Sequence, residues 1–461
     1  MSRLDLSGTF KRDVKSVSLF GFGRSAAALI PHLLESGYTV TVRDDRVKIK
    51  DSLPKDVRIF LGASATKSID EDIMIIAPSV RRERFLRAEL PRRIILTSDT
   101  EIFFKAFRGK SFAISGSSGK STSTTLLYEI LSTTGKTHLL GNIGVPMTDA
   151  LMRGNIARAV CEISSFNLQY DEIKPYRASI TNIKRNHLNW HKDFREYIEA
   201  KYRLLSSSLW FSVNLDDDLT RDLAFNTSCY ACFSLKSDYN CLHKVHKDKI
   251  IFTLTSNGIM RNDNLIIPRS AFDGYAEYNI YNLLTALTLA EGEYDEEALP
   301  EVVKSHRALS HRCEEFLSAF DVRFIDSSID TSPDRTSETL SALSGNIILL
   351  LGGRSKGESY SSLLPIIEKK CKSVIAFGEA RDKIASDLCG VDVSVTVRKT
   401  MREAALLGLS RAVAGDTLLL SPASTSFDEF SSFEERGDIF KKIIKDAVRQ
   451  ENTGDKNEKD N

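Results

Sequence analysis

The sequence predicts an α/β fold arranged as three successive domains. Three observations carry that prediction. Short apolar runs alternate with amphipathic helical patterns along nearly the whole chain, the rhythm of parallel sheets with crossover helices. Two Gly-rich turns each follow an apolar run and open a helical pattern. The 461 residues exceed what one hydrophobic core organises, so two to four domains are expected.

The first unit, residues 1–105, places strands at "SVSLFGFG", "YTVTV", "VRIFLG", "IMIIAP" and "RIILTS". "RSAAALIPHLLESG" reads as a helix closed by Gly37. The second unit, 106–308, starts at "KSFAISGSSGKS" and holds strands such as "ARAVCEIS" and "YRASITNI". A β-rich stretch, "DKIIFTLTSNGIMRNDNLIIP", has turn chemistry at Ser256-Asn257-Gly258. The helix "YNIYNLLTALTLAEG" follows. The third unit, 309–451, repeats the alternation with "VRFIDSS", "NIILLLGG", "SVIAFG" and "DTLLLSP". It ends in a helix with Ile439, Phe440, Ile443, Ile444, Ala447 and Val448 on one stripe. Residues 452–461 are polar and charged and read as a disordered tail.

Composition excludes several classes. There are 63 basic and 62 acidic side chains, a net charge of +1, which argues against a broad nucleic-acid surface. The seven cysteines are scattered. Their one close pair, Cys229 and Cys232, lacks the partner ligands zinc needs and reads as two buried thiols. No apolar run approaches the about 18 residues that span a bilayer, and the N-terminus has no apolar signal core. The expectation is a cytoplasmic protein acting on small molecules, without membrane or nucleic-acid partners.

The central turn, "FAISGSSGKSTSTTLLYEIL" from Phe112 to Leu131, reads as a triphosphate cradle. Backbone N–H groups of Gly116, Ser117, Ser118 and Gly119 join the N-terminal dipole of the following helix. Lys120 neutralises phosphate charge, and the hydroxyl of Ser121 or Thr122 suits Mg²⁺. Ile114 stands where the first Gly of the full P-loop pattern belongs. In the first turn, Gly21, Gly23 and Ala26 fit G-x-G-x-x-A, and Asp44 and Asp45 follow about twenty residues later. Taken alone, that turn predicts a nicotinamide-dependent oxidoreductase. A loop of this shape also grips other pyrophosphates, including that of a UDP-sugar. Glu162 ends an apolar strand, a position suited to a metal-binding carboxylate, because such a group buried without a partner is costly. His187 and His191 lie four apart, but without an H-E-x-x-H pattern a zinc pair is weakly supported.

Further motifs resemble those of the Mur ligases, the ATP-dependent amino-acid-adding enzymes of peptidoglycan synthesis, over about residues 15–448. "GSSGKST" resembles their ATP loop, with Ser118 where Asn is usual, and "GNIGVP" (141–146) resembles their substrate-side turn. "CEISSFNLQ" is similar to E-x-S-S-F-Q-L-E, and "TNIKRNHLNWHKDFREYIEAKYRLL" to T-N-x-x-x-D-H-L-D-x-H…Y-x-x-A-K. "EYNIYN" resembles H-N-x-x-N, and "LSHRCEE" resembles H-R-x-E. "DSSIDTSPDRT", "LLLGGRSKG" and the long "LLLSPASTSFDEFSSFEERG" resemble motifs of the D-glutamate-adding branch.

The resemblance implies three domains: an N-terminal Rossmann-like unit, a central P-loop-type ATPase unit and a C-terminal Rossmann-like unit. It implies a monomeric ligase that adds D-glutamate to UDP-N-acetylmuramoyl-L-alanine through an acyl phosphate, with ATP and one or two Mg²⁺ ions. By resemblance His187 belongs at the metal and substrate edge, and His191 is structural. Lys201 is the family's carbamylated lysine, an anionic oxygen ligand for a second ion. Asn279, Arg312 and Asp326 would contact ATP, although Ser327 aligns with the family acid as well as Asp326 does. Arg24, Ser25, Asp44, Arg46 and Asn142 would hold the UDP-sugar, and Thr331, Lys356, Ser426 and Phe433 the incoming glutamate. Several family residues are replaced: Asn186 and Asn189 stand for Asp, Ser355 for Asp, Ser79 for Gly and Tyr278 for His. These swaps leave open a changed substrate, another Mur-type ligase or a non-catalytic relative.

Overall fold

The computed structural model describes residues 4–457 except 87–89, 91–93, 155, 185–189, 274, 276, 307–310, 344, 356 and 358. Its apolar runs form three sheets. The first has five parallel strands in the order β3-β2-β1-β4-β5. They are β1 (Ser16–Phe20), β2 (Thr39–Asp44), β3 (Arg58–Leu61), β4 (Ile73–Ile76) and β5 (Ile95–Thr97). The five runs named from sequence are these five strands. The helix Arg24–Glu35 follows β1, and Gly37 closes it at φ +88°, its N–H donating to Leu34 O. Strand order reverses between β1 and β4, which opens a crevice at their carboxyl ends.

The second sheet has nine strands, ordered β14-β13-β12-β11-β10-β9-β6-β8-β7. They are β6 (Lys110–Ser115), β7 (Thr137–Gly141), β8 (Arg158–Glu162), β9 (Arg177–Ile180), β10 (Trp210–Asn214), β11 (Cys229–Ser234), β12 (Ile250–Leu254), β13 (Gly258–Arg261) and β14 (Asn264–Pro268). The last three form an antiparallel meander at one edge, turning where Ser256-Asn257-Gly258 predicts. The helices Lys120–Ser132 and Glu277–Ala290 cover one face through Leu126, Leu127, Ile130, Leu283 and Leu287. The helix Phe194–Ser207 covers the other through Tyr197, Ala200 and Leu204. Cys229 and Cys232 are free and buried in β11, and burial pushes the Cys229 thiol up to about 12.

The third sheet runs β15-β16-β20-β17-β18-β19. Its strands are β15 (Glu314–Ala319), β16 (Val322–Asp326), β17 (Ile347–Gly352), β18 (Cys371–Phe377), β19 (Ser394–Val397) and β20 (Thr417–Leu420). β17 and β20 are buried throughout, as central parallel strands must be. The last helix, Phe433–Asn457, buries Phe440, Ile443, Ile444 and Val448. It continues through Asn457, so residues 452–457 extend the helix where the sequence reading has a disordered tail; 458–461 lie outside the described residues.

The chain divides into two compact units, Met1–His306 and Arg307–Asn461. The first and second sheets belong to one unit because polar groups stitch them together. Arg82 pairs with Asp171, Ser98 Oγ donates to Asp171 at 2.6 Å, His32 sits 3.0 Å from Asp149, and Asp99 accepts from Thr148. Among the described residues no helix is long and apolar enough to cross a membrane.

Candidate active site

The central turn takes its shape from crowding. β6 ends at Ser115 and the helix starts at Lys120, with Gly119 at φ +78° as its N-cap. A Cβ at Gly116 would collide with Thr181 Oγ1, and one at Gly119 with Asn282 Oδ1. Asn182 clamps the loop: its carbonyl accepts from Ser117 N at 2.9 Å, its Oδ1 from Ser118 N at 3.1 Å, and its Nδ2 donates to Ser118 O at 3.1 Å. Ser117 Oγ meets the Tyr197 hydroxyl at 2.7 Å. Lys120 Nζ donates to the loop carbonyls of Gly116 and Ser117 at 3.0 and 3.2 Å, so the cation stands over the loop it would serve. Ser121 is buried and Thr122 half-buried at the helix start. Asn279 Oδ1 accepts from Asn282 Nδ2 at 3.5 Å, beside the same loop.

Glu162 ends β8, in register with Ile114 of β6 and Gly141 of β7, next to this loop. It is 5% exposed. Oε1 is 3.5 Å from Asn142 Nδ2, and Oε2 is buried with no hydrogen-bond partner among the described residues. A buried carboxylate oxygen without a donor is costly, and a hard cation is the partner it suits. Lys201 is 1% exposed; its Nζ is 3.3 Å from Ser115 Oγ and 4.7 Å from the centre of the Tyr197 ring. Burial, and after it the Lys120 charge, holds its amine well below the usual lysine range. A neutral amine of this kind is what carbon dioxide adds to. His191 is buried, with Nε2 3.1 Å from Ser165 Oγ. His187, Asn186 and Asn189 lie outside the described residues.

In the crevice of the first sheet, Asp44 is buried with both oxygens engaged. It accepts from Phe22 N at 2.7 Å and from the Arg46 backbone and guanidinium at 2.8–2.9 Å. The guanidinium hydrogen bonds and these backbone donors hold its carboxyl below the usual range against burial, the largest and opposing influence. Arg46 is exposed, and Arg24 Nη2 donates to Gly141 O at 2.9 Å, joining this loop to the turn that carries Asn142. Ser25 lies against the buried Asp99 carboxylate.

In the C-terminal unit, Thr331, Ser426 and Phe433 sit on the loops after β16 and β20 and at the start of the last helix. Lys356 lies outside the described residues. Arg436 organises these loops: fully buried, it donates to Ser328 Oγ and O at 2.9 and 2.8 Å, to Ser424 O at 3.1 Å and to Gly352 O at 3.4 Å. Burial lowers its pKa to about 10. Asp326 is also fully buried, with Oδ2 2.7 Å from His311 Nδ1 and Oδ1 accepting from Ser328 N. Arg312 is half-buried, and Phe433 stands edge-on to His311 at 6.3 Å.

A profile of the Mur ligase middle domain matches residues 114–290. The chain is 31% identical to the UDP-N-acetylmuramoylalanine--D-glutamate ligase of Acetivibrio thermocellus, over 94% of this chain and 97% of that protein. It is 30% identical to the ligase of the same name from Koribacter versatilis, over 95% and 98%. The chain belongs to the Mur ligase family. Among solved structures, UDP-N-acetylmuramate-alanine ligase MurC of Thermotoga maritima matches at TM-score 0.56 and 18% identity, over 94% of this chain and all of that one. A pseudomurein peptide ligase type C from Methanothermus fervidus matches at 0.53 and 17%, over 94% and 100%. At such identities these two speak for the α/β fold alone.

Several residues that shape the site in this Mur ligase escaped the sequence reading: Asn182, Asn282, Tyr197 and Arg436. The first three sit inside the "TNIKRN", "EYNIYN" and "EYIEAK" motifs, so their signal was present. Arg436 lies in the quoted motif "LLLSPASTSFDEFSSFEERG", but nothing in that motif marks it as fully buried. Of the replaced positions, Tyr278 is 45% exposed and Ser355 Oγ accepts from Gly357 N at 3.1 Å.

Proposed function

We propose that the chain is an ATP-dependent ligase that adds D-glutamate to UDP-N-acetylmuramoyl-L-alanine in peptidoglycan precursor synthesis. The N-terminal Rossmann-like domain holds the UDP-sugar, the central P-loop-type domain holds ATP, and the C-terminal Rossmann-like domain binds glutamate. The enzyme is a cytoplasmic monomer. The observation that carries the reading is the Lys120 loop beside a Glu162 oxygen that has no hydrogen-bond partner among the described residues, in a chain alike over nearly its full length to D-glutamate ligases.

The substrate carboxylate attacks the γ-phosphorus of ATP, giving an acyl phosphate and ADP. The glutamate amine then attacks the acyl carbon and expels phosphate. The first step gathers negative charge at one place, so fixed positive charge governs it. Loop N–H groups and the helix N-terminus cradle the triphosphate, and Lys120 leaves its loop carbonyls to neutralise the oxygens facing the acceptor. Magnesium would supply Lewis acidity there, with Ser121, Glu162, His187 and a carbamylated Lys201 as its ligands. Arg24, Ser25, Asp44, Arg46 and Asn142 position the nucleotide sugar. Asn279, Arg312 and Asp326 serve ATP, and Thr331, Lys356, Ser426 and Phe433 serve glutamate.

The test is phosphate release with ATP, Mg²⁺ and the UDP-sugar, comparing D-glutamate with L-glutamate, L-alanine, lysine and diaminopimelate. Release that depends on D-glutamate is expected. Turnover indifferent to the amino acid, or preference for another one, would contradict the reading.

A further inference from the structure

The loop that leaves β4, Ala77–Arg82, forms the wall of the first-sheet crevice opposite the Gly-rich turn. A Cβ at Gly21 would stand 2.7 Å from Ala77 Cβ, so the two walls touch at their base. This loop ends in two consecutive arginines with different surroundings. Arg82 is an anchor: it pairs with Asp171 and lies 5.2 Å over the Tyr170 ring, with 14% of its side chain exposed. Arg81 is exposed and lies 5.3 Å over the ring of Trp190.

Trp190 is itself held in place. Its Nε1 donates to Gln169 Oε1 at 2.8 Å, and its ring packs against Phe166 at 4.5 Å. Phe166 belongs to the helix Ser165–Tyr170, which follows directly on β8 and Glu162. The anchor at Arg82 and the platform at Trp190 therefore fix a cation on the side of the crevice that faces the second sheet. A guanidinium held over an aromatic ring keeps N–H donors of the geometry that matches a carboxylate. On the proposed function the diphosphate takes the N-terminus of the helix Arg24–Glu35, where Arg46 Nη2 donates to Phe22 O. An arginine on the far wall answers to the other end of the same molecule.

We infer that Arg81 is a specificity-determining residue: laid on Trp190, it receives the carboxylate-bearing acyl end of the nucleotide sugar on its way to the Glu162 site. This rests on the ligase reading above. The shared chemistry, an anionic oxygen on a guanidinium, could also come from the diphosphate, and the test separates the two sources.

The chain has two tryptophans, so Trp210→Phe leaves Trp190 as the sole indole reporter in the full-length protein. UDP-N-acetylmuramoyl-L-alanine and UDP-N-acetylglucosamine, which has the diphosphate but no carboxylate, are titrated against its fluorescence. Trp190 emission should change with the first and not the second. Arg81→Gln should abolish that change and raise Kd and KM for the carboxylate substrate about 10- to 100-fold. KM for ATP and affinity for UDP-N-acetylglucosamine should stay within about twofold, and Arg81→Lys should recover part of the loss. An unchanged KM in Arg81→Gln would overturn the inference, as would an equal response to both nucleotides or an equal loss of both accompanied by a lower Tm. Absence of D-glutamate-dependent phosphate release from the wild type would sink the ligase reading instead, while the titration still decides the role of Arg81.

Discussion

The two Gly-rich turns look alike in sequence and differ in what surrounds them. In the turn after β6, both end glycines are forced: Thr181 and Asn282 occupy the space a side chain would need, and Asn182 ties the loop down. Its cation is Lys120, and among the described residues a neighbouring carboxylate oxygen lacks a donor. In the turn after β1, Gly21 is crowded by Ala77, but among the described residues nothing lies within 4 Å of a Cβ built at Gly23. Its cations are arginines, and its acid, Asp44, is already satisfied. A closed loop with a lysine and an unpaired acid suits triphosphate and metal. An open loop lined by arginines suits a bulkier diphosphate ester. The pattern suits an anion site in both places, and the proposed division of triphosphate and diphosphate between them rests on these surroundings.

Changes that break the first loop should be the most damaging. Lys120→Ala should lower kcat about 1,000-fold or more with the fold intact, measured by phosphate release alongside circular dichroism. Glu162→Gln keeps the shape and removes the charge. It should cost about 100-fold in activity and weaken magnesium dependence, while Tm holds or rises because the buried charge is gone. Full activity in either variant would remove the contrast between the loops.

A pair of glycine substitutions sharpens the contrast. Gly116→Ala should lose about 2 kcal/mol or more in urea unfolding, because the new methyl meets Thr181. Gly23→Ala should change stability by less than about 0.5 kcal/mol, since its backbone is extended and the space is open, yet raise KM for the UDP-sugar. The reverse ranking would mean that the roles of the two loops are exchanged.

The smallest effect concerns the wall of the open loop. Burial raises the Asp171 carboxyl to about 6, despite the opposing charge of Arg82. The folded protein therefore holds this proton more tightly than the unfolded chain does. The stability this provides is fully present below the ordinary carboxylate value and lost as pH rises to about 6. Asp171→Asn should accordingly gain on the wild type by on the order of 2 kcal/mol between pH 4 and 7 and track it above that. A flat difference across that range would show the pair to be fully charged throughout.

Much of this was legible because parallel strands buried on both faces must be apolar runs, and phosphate turns must carry glycine. β15 and β19 were missed for the same reason: "EEFLSA" and "SVTV" are partly exposed edge strands with no continuous apolar run. The turn joining β15 to β16 places Phe320 and Asp321 at positive φ without a glycine to mark it. The union of the first two sheets into one unit depends on Arg82, Asp171, Ser98 and Asp99, polar residues whose burial composition does not disclose. Sheet order was out of reach as well: Glu162 reaches the Lys120 loop because β8 pairs with β6. In the candidate site, the loop lysine and Glu162 stood out by type and position, whereas Lys201 came only from the family resemblance, since its helix alone reads as carrying a surface lysine and its burial shows only in the fold. The clamps Asn182 and Asn282 act through contacts between distant segments.

The assignment of the two loops is tested most directly by a crystal structure with a non-hydrolysable ATP analogue and UDP-N-acetylmuramoyl-L-alanine bound together. The triphosphate should lie on the Gly116–Ser121 backbone with Lys120 turned onto it, and the UDP diphosphate at Gly21–Ala26. A triphosphate seated at Gly21–Ala26 with the central loop vacant would contradict the account.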